Sequence, residues 1–242
     1  MDDSTRIALL IDADNTQLSK VGLVIDEIAA HGRIVVRRAY GNWRKDTLKK
    51  WEGEVKRLAI RAVQQFDYVS GKNATDMALV IDAMDLLANG DYDAFVIMAS
   101  DSDYTPLAIR LQESGVQVFG AGERKTPEAF RNACDEFIYL ENLGAKSEKK
   151  PKQDENDKKR QNDEYSRLHQ LLKDGLNKYA DDAGYADMAD VGNFVKRAWP
   201  DFDTRSFGCQ KLSELLETFP KKYEIKRVKL SNGGSRALFK KL

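Results

Sequence analysis

The chain has 242 residues, of which 42% are hydrophobic and 32% charged, so it can form one large domain or two modest ones with buried cores. No apolar stretch approaches the roughly 20 residues that span a bilayer, and the first residues, MDDSTR, carry acids where a secretory signal carries basic residues. Cys134 and Cys209 are the only cysteines, which argues against a disulfide framework or a cysteine zinc site. We therefore expect a cytoplasmic protein with no membrane partner.

The formal net charge is zero, but the charges are unevenly distributed. Residues 1–143 carry a net charge of −6, residues 144–242 carry +6, and the segment 33–72 alone carries +7. An acidic region beside a basic one suits a polyanion that needs a metal ion at one point. The alternative is that these are ordinary solvated helix faces.

Residues 1–143 alternate between patterns typical of strands and of helices. Residues 6–11 are apolar without alternation, which predicts a strand buried on both faces. Alternation of strands with helices predicts an α/β fold, a mostly parallel sheet with helices on both faces. The other predicted strands are 34–40, 66–69, 95–99, 116–119 and 137–140, and the predicted helices are 21–30, 48–63, 75–87, 106–113 and one that begins near 126–128.

Basic residues cluster on and around the predicted helix 48–63, whose apolar residues form a core stripe. Such cations can neutralise the phosphates of a nucleic acid, and Trp43 among them can stack on a base. The alternative for Trp43 is packing at the edge of the sheet. The candidate RNA-binding residues are Arg37, Arg38, Trp43, Arg44, Lys45, Lys49, Lys56, Arg57 and Lys72.

The second half of the chain begins with a change of composition. Residues 144–164 contain 13 charges and almost no apolar residues, so we expect a charged, flexible linker. From Tyr165 onward, three short helical stripes are followed by two strand-like segments that flank Ser231-Asn232-Gly233-Gly234, a strong hairpin signal. Three helices and a hairpin predict a small winged helix-turn-helix domain over residues 165–242.

Acidic residues follow two of the predicted buried strands, where the ligand of a parallel sheet lies. The site candidates are Asp12, Asp14, Asn15, Asp76, Asp101 and Asp103. Two unit charges about 4 Å apart repel by about 4 kcal/mol at an effective dielectric near 20, so clustered carboxylates need either raised pKa values or a divalent cation. Oxygen ligands without Cys or His favour Mg²⁺ or Mn²⁺.

Several of these acids also have a structural interpretation. Asp14, Asn15 and Asp103 can cap the turn or helix that follows each of them, and Asp76 can interact with a helix dipole. Asp12 and Asp101 are harder to explain in this way, because they follow buried runs closely. Asp82, more than one turn beyond Asp76, is expected to face away or to support the site indirectly.

The acidic motifs resemble those of the NYN domain, a member of the PIN-like nuclease superfamily. The matching stretches are LLIDADN, GKNATD and ASDSDYTPL, although Ala99-Ser100 stands where that family usually has glycine. The resemblance implies a three-layer PIN-like fold and a metal-dependent endoribonuclease over residues 1–143. It further implies that Asp12, Asp76 and Asp101 are metal ligands, assisted by Asn15 and Asp103.

Residues 165–242 resemble an OST-HTH/LOTUS domain. The resemblance rests on Phe202, Phe207-Gly208, Lys211-Leu212, Leu215-Leu216 and the hairpin, with Phe207 where the family often has tyrosine. It implies binding of single-stranded or structured RNA, including G-rich RNA in some members. A homo-oligomer is compatible with the sequence, but no feature of it supports one.

Two other functions fit parts of the sequence. Asp12-Ala13-Asp14-Asn15-Thr16 also has the DxDxT pattern of a haloacid-dehalogenase-like phosphatase, with Asp12 as nucleophile and Asp14 as general acid and base. That interpretation leaves the basic segment and the second domain unexplained. An RNA-binding adaptor with a vestigial acidic site is the non-enzymatic alternative.

Overall fold

The first part of the chain is built from strands that alternate with helices. The computed structural model describes residues 5–67, 73–144, 155–229 and 235–242, and the chain divides into two compact units, Met1–Gly144 and Ala145–Leu242. The elements of the first unit are β1 (Arg6–Asp12), α1 (Leu18–Ile28), β2 (Arg33–Gly41), α2 (Trp51–Arg57), β3 (Arg61–Gln64), α3 (Ala74–Ala88), β4 (Ala94–Met98), α4 (Thr105–Glu113), β5 (Gln117–Gly122), α5 (Glu128–Asn132) and β6 (Glu136–Tyr139).

These strands form one parallel sheet in the order β3-β2-β1-β4-β5-β6. The chain starts in the middle of the sheet, moves outward through β2 to β3, and returns through α3 to the other side of β1. Consequently β1 has a neighbour on each side, and all of its residues except Arg6 are buried. The strand order reverses between β1 and β4, and the predicted α/β fold class is confirmed.

Two apolar layers sandwich the sheet because successive side chains of a strand point to opposite faces. Leu9 and Ile11 of β1 pack in one cluster with residues of α1 and α2. Leu10 packs in the other cluster with Leu79 of α3 and Phe130 of α5. Fully burying a side chain of this size contributes about 1.5–3 kcal/mol, so these layers hold the carboxyl ends of β1 and β4 in fixed positions.

The connection between β2 and β3 differs from the prediction of one helix over residues 48–63. A 3₁₀ turn, Asp46–Leu48, precedes α2, and α2 ends at Arg57. Ala59 has a φ of 50°, a left-handed conformation that costs an L-residue about 1–2 kcal/mol, and it turns the chain into β3. The apolar periodicity is real, since Leu48 and Trp51 are buried, but periodicity does not reveal a left-handed turn.

The strand predicted over residues 66–69 is wrong for the residues that can be described. The chain pairs with β2 earlier, along β3, where Arg38 is opposite Arg61. Phe66 and Asp67 lie outside any strand, and the remainder of the predicted strand lies outside the described residues, as does Lys72. An edge strand is held by backbone hydrogen bonds to its single neighbour and needs no apolar side chains. The side chains of β3 are therefore mixed and give no apolar signal in the sequence.

The described residues of the second unit form four helical segments and a small antiparallel sheet. Its elements are α6 (Glu155–Tyr179), β7 (Ala186–Asp187), α7 (Met188–Ala198), a 3₁₀ turn (Thr204–Phe207), α8 (Leu212–Glu217), β8 (Tyr223–Lys229) and β9 (Ser235–Lys241). The sheet order is β7-β9-β8. Leu168 of α6, Val191 of α7, Leu216 of α8 and Phe239 of β9 share one buried core, which gives the arrangement of a winged helix.

Part of the predicted flexible linker, residues 144–164, is helical, and residues 145–154 of it lie outside the described residues. Helix α6 begins at Glu155, so residues 155–164 are helical rather than extended coil. This stretch, ENDKKRQNDE, is rich in good helix formers, and a helix that continues from a packed domain needs no buried face of its own. The turn predicted at residues 231–234 lies outside the described residues, but β8 and β9 pair across it.

Within residues 5–67, 73–144, 155–229 and 235–242, no helix is both long and apolar enough to cross a bilayer.

Candidate active site

The candidate site lies at the carboxyl edge of the parallel sheet, where the strand order reverses. Asp12 is the last residue of β1, and Asp101 follows the end of the neighbouring strand β4 by three residues. Helix α3, which crosses from β3 back to β4, carries Asp76 in its first turn. Three segments far apart in sequence are therefore directed to one edge, as expected for ligand sites in sheets of this kind.

Asp12 is a buried carboxylate whose hydrogen bonds come mainly from one neighbour. Its side chain is 0% exposed, and Asn15 donates to it twice, from the backbone N–H to Oδ1 at 3.3 Å and from Nδ2 to Oδ2 at 3.0 Å. Burial raises the pKa of Asp12 to about 6, the hydrogen bonds of Asn15 oppose that shift, and the charge of Asp76 adds to it. The site therefore holds a carboxylate whose charge the surrounding protein does not fully compensate.

Asp76 is the acid whose pKa depends on the largest number of neighbouring carboxylates. The hydroxyl of Tyr104, which is fully buried, donates to Asp76 Oδ1 at 2.7 Å. Burial raises the pKa of Asp76, and the charges of Asp101, Asp103 and Asp14 raise it further. Asp76 is thus exposed to the charges of three other acids of the site, and its own charge acts on Asp12, as expected where a cation binds.

Tyr104 was not singled out by sequence analysis, although it lies in the ASDSDYTPL stretch. Its hydroxyl donates to Asp76 and is also within hydrogen-bonding range of Asp12. Burial raises its pKa, and the charges of Asp12 and Asp76 raise it further, so the hydroxyl keeps its proton. The available signal was a tyrosine directly after Asp101 and Asp103, but a tyrosine at that position is explained equally well by apolar packing.

The segment after β4 is held by its own acids. Asp101 Oδ1 accepts from the backbone N–H of Asp103 at 3.0 Å, so Asp101, rather than Asp103, caps the following 3₁₀ turn. Asp103 Oδ2 accepts from Asn73 Nδ2 at 2.6 Å, which links this segment to the start of α3. Ser100, where the family usually has glycine, accepts from the N–H of Glu123 at 3.0 Å and joins the ends of β4 and β5.

Asp14 is fully engaged by other residues. Lys45 Nζ lies 3.2 Å from its Oδ1, and Thr75 Oγ1 donates to its Oδ2 at 3.0 Å. Lys45 also lies 3.5 Å from Asp67 Oδ2. Asp14 therefore joins the loop after β1 to the loop after β2 and to the start of α3. A carboxylate held on both oxygens is poorly suited to the general acid and base role of the phosphatase alternative.

Asp82 does not reach the acidic cluster. It accepts hydrogen bonds from Arg38 and from the hydroxyl of Tyr40, both on β2. Burial raises the pKa of Tyr40, and the hydrogen bond to Asp82 raises it further. Asp82 is therefore a structural partner of β2 on the α3 face of the sheet.

The acids suit a hard divalent cation by their chemistry but do not form a closed cage. Among the side chains in the described parts of the chain, no group of three or more His, Cys, Asp or Glu residues is close enough to hold a metal ion. The donors are all oxygens, which Mg²⁺ and Mn²⁺ prefer. Burial raises the pKa of Asp12, and burial together with neighbouring carboxylates raises the pKa of Asp76. A bound cation would remove the repulsion between these carboxylates. On these grounds the residues fit such an ion.

The candidate RNA-binding residues do not form one continuous surface. Arg37 and Arg38 are adjacent on β2 and so point to opposite faces: Arg37 donates to the carbonyl oxygen of Leu58, whereas Arg38 meets Asp82. Several of the other cations pair with acids close in sequence. These pairs are Lys49 with Asp46 at 2.7 Å, Lys56 with Glu52 at 2.6 Å and Arg57 with Glu54 at 2.6 Å.

The basic helix predicted over residues 48–63 is replaced by the shorter α2, in which two acids, Glu52 and Glu54, precede two cations, Lys56 and Arg57. Arg44 lies over the ring of Phe66 at 5.1 Å. Trp43 donates from Nε1 to the carbonyl oxygen of Val63 at 2.9 Å and contacts the ring of Trp51 edge to face. Those contacts agree with the packing alternative for Trp43. Of these cations, Lys45 lies beside the acidic edge, 3.2 Å from Asp14.

Comparison with known proteins decides the family. A family model for the NYN domain matches residues 6–141, more than half of the chain, and a model for the OST-HTH/LOTUS domain matches residues 163–233. The chain belongs to the NYN family. NYN domains are PIN-like nucleases that generally use divalent metals, and OST-HTH/LOTUS domains bind RNA. Both predicted resemblances are confirmed.

Individual relatives of this NYN protein add less. The uncharacterized protein MJ0482 of Methanocaldococcus jannaschii is 29% identical over 143 residues, which cover 56% of this chain and 55% of that protein. The chain thus matches about half the length of this relative. A solved protein of unknown function from Vibrio parahaemolyticus, VPA0982, matches 57% of this chain and 94% of its own with 17% identity and a TM-score of 0.47. Similarity at that level carries neither fold nor function across.

Proposed function

We propose that the NYN domain is a metal-dependent endoribonuclease and that the OST-HTH/LOTUS domain holds its RNA substrate. The observation that supports the proposal is that Asp12 and Asp76 have pKa values raised by burial and by neighbouring carboxylates, Asp101 among those that act on Asp76, at the edge of the sheet where the strand order reverses. In this proposal these three residues hold Mg²⁺ or Mn²⁺. The RNA is single-stranded or structured, and G-rich RNA belongs to the class to be tested.

The bound ion would activate a water molecule and stabilise charge on the phosphoryl oxygens. The residues of the chain prepare that chemistry. Asn15 fixes the orientation of the Asp12 carboxylate through two hydrogen bonds, and Tyr104 fixes that of Asp76 through one. Asn73 holds Asp103 at the rim of the site. Because these partners are neutral, they orient the carboxylates while leaving their negative charge to the cation.

Lys45 has a further part in this proposal. Its side chain is 40% exposed, and it lies between Asp14 and Asp67 at the edge of the acidic cluster. A substrate phosphate that approaches the cluster meets repulsion from the carboxylates, and a partly exposed ammonium group reduces it. We therefore assign Lys45 to the phosphate next to the scissile bond, rather than to the basic cluster predicted around residues 48–63.

The decisive test is cleavage of a labelled single-stranded RNA by the full chain in Mn²⁺, in Mg²⁺ and in EDTA. We expect activity with either ion, none in EDTA, and a loss of at least about 100-fold in kcat/KM for Asp101→Asn, or about 2.7 kcal/mol of transition-state stabilisation. Asp85→Asn is the matched control, because Asp85 is exposed on α3 away from the cluster.

The same assay separates the proposal from its alternatives. RNA that binds but stays intact in Mn²⁺ would establish the adaptor with a vestigial site. Release of phosphate from a small monoester, abolished by Asp14→Asn, would establish the phosphatase. The engagement of both Asp14 oxygens and the family of the chain argue against that second outcome.

A further inference from the structure

The net positive charge of the second unit comes from its terminal hairpin. Residues 221–242 contain eight Lys or Arg and a single acid, a net charge of +7, whereas residues 144–220 carry a net charge of −1. We call the described part of this hairpin, residues 221–229 and 235–242, the basic wing. Any polyanion that the second unit binds by charge must therefore be attracted to this wing.

Helix α8 is a poor candidate for the same task, although it occupies the recognition-helix position of a helix-turn-helix. It has six residues, and Leu215 and Leu216 are buried in the core. Its remaining side chains include Glu214 and Glu217, so a phosphate that approached this helix would meet two carboxylates. Length and charge both argue against insertion of α8 into a nucleic-acid groove.

Three cations of the wing lie on its solvent-exposed face. In the register of β8 and β9, Lys226 is opposite Leu238, Val228 is opposite Arg236 and Glu224 is opposite Lys240. These side chains share one face, because Phe239, on the other face, is fully buried. Since a strand rises about 3.4 Å per residue, Arg236 and Lys240 are about 14 Å apart along β9, and Lys226 on β8 is opposite Leu238, midway between them. The three cations therefore span this face of the hairpin.

Tyr185, just before β7, holds two of these cations together. The ammonium groups of Lys226 and Lys240 lie 5.8 Å and 4.7 Å from the centre of its ring. Its hydroxyl donates to Glu224 at 2.6 Å, and Glu224 lies 3.1 Å from Lys240. Arg236 lies 3.9 Å from Asp187. Exposed ion pairs of this kind are weak, so a phosphate can replace the carboxylates as partner.

We propose that the basic wing, through Lys226, Arg236 and Lys240 ordered around Tyr185, is the surface by which the second unit binds the phosphodiester backbone of RNA. The proposal rests on the RNA-processing function proposed above and adds where and how the second unit takes part. Binding at this surface is electrostatic and independent of base sequence, because it offers cations and an already occupied aromatic ring rather than a free stacking platform.

The test measures affinity and its salt dependence in the full chain. Asp101→Asn protein in EDTA, which leaves RNA intact, is titrated against a fluorescent 20-nucleotide single-stranded RNA at several KCl concentrations. Replacing Lys226, Arg236 and Lys240 with Gln should raise Kd about 10- to 50-fold at about 0.15 M salt and lower the slope of log K against log salt by about 2, since each contact to a single strand contributes about 0.7.

The matched control removes the same charge elsewhere on the second unit. Replacing Lys173, Lys196 and Lys211 with Gln should change Kd less than about 3-fold, because these residues lie on α6, on α7 and before α8. Lys226→Arg with Lys240→Arg, which keeps the charge, should retain binding. Circular dichroism confirms that each variant is folded.

The outcomes are distinguishable. RNA binding that the wing and control variants weaken equally overturns this assignment and leaves the nuclease proposal intact. A full chain that binds no RNA overturns both. Binding to phosphatidylserine vesicles as tight as to RNA, lost in the wing variant, would replace RNA with an anionic membrane as the partner of this surface.

Discussion

The raised pKa of Asp12 predicts that its ionised carboxylate destabilises the folded protein when no metal is bound. The test compares wild type with the Asp12→Asn variant in EDTA. Wild-type Asp12 titrates at about 6 in the native state, against 3.8 for an unperturbed carboxyl group. Between those values the native state binds more protons than the unfolded state, so the free energy of unfolding falls as pH rises from about 4 to 6.

The magnitude follows from the shift. A difference of about 2 pKa units corresponds to about 3 kcal/mol of stability lost by wild type above pH 6. The amide that Asp12→Asn introduces cannot ionise, so the variant should equal wild type near pH 4 and exceed it by up to about 3 kcal/mol at about pH 7.5. The gain is an upper limit, because Asn15 donates to both oxygens of Asp12 and an amide offers only one.

Urea unfolding followed by tryptophan fluorescence measures the difference. In a Trp199→Phe background the remaining tryptophans, Trp43 and Trp51, both report on the first unit. Adding Mn²⁺ should then stabilise the Asp12 protein by about 1.4 kcal/mol at ten times the Kd and leave Asp12→Asn unchanged. A variant that is less stable than the Asp12 protein at neutral pH, or a stability difference that does not vary with pH, would refute the reasoning.

Three further outcomes are expected from the first unit and its connection. Tyr104→Phe removes the hydrogen bond to Asp76 and should raise the Mn²⁺ concentration for half-maximal cleavage, while RNA affinity in EDTA stays constant. Gly122→Ala should cost about 1–3 kcal/mol in urea unfolding, because a Cβ there would lie 2.5 Å from the carbonyl oxygen of Ala99. Deleting residues 145–242 should raise KM for RNA more than it lowers kcat, because the second unit raises the local substrate concentration; equal losses in both would argue against tethering.

The sequence specified the architecture because buried parallel strands leave a strong apolar signal. The apolar runs without alternation are β1 and β4 in the structure, as predicted. The fold class could be predicted for the same reason. Strand β3 could not, since an edge strand is stabilised by backbone pairing to β2 and its side chains face solvent.

The candidate site was predictable in outline but not in its contacts. Strand ends identify which acids face the ligand edge, but a sequence does not show which neighbour neutralises each one. The sequence predicts Lys45 as one of a cluster of RNA-binding cations, whereas in the structure it forms ion pairs with Asp14 and Asp67, which lie on two separate loops. Tyr104 was not assigned at all, because a hydroxyl that joins α3 to the segment after β4 is a tertiary contact between residues 28 apart.

The strand order has a consequence for when activity can arise during synthesis. Asp12 ends β1, but the neighbouring strand β4 and Asp101 leave the ribosome only after about 90 further residues, since translation proceeds from the N-terminus. Until then β1 has a partner only on the β2 side, and the acidic edge lacks one of its walls. If the proposed function holds, a nascent chain that has not yet released β4 cannot cleave RNA, whereas a chain that has released residues 1–144 can do so while its second unit is still being made.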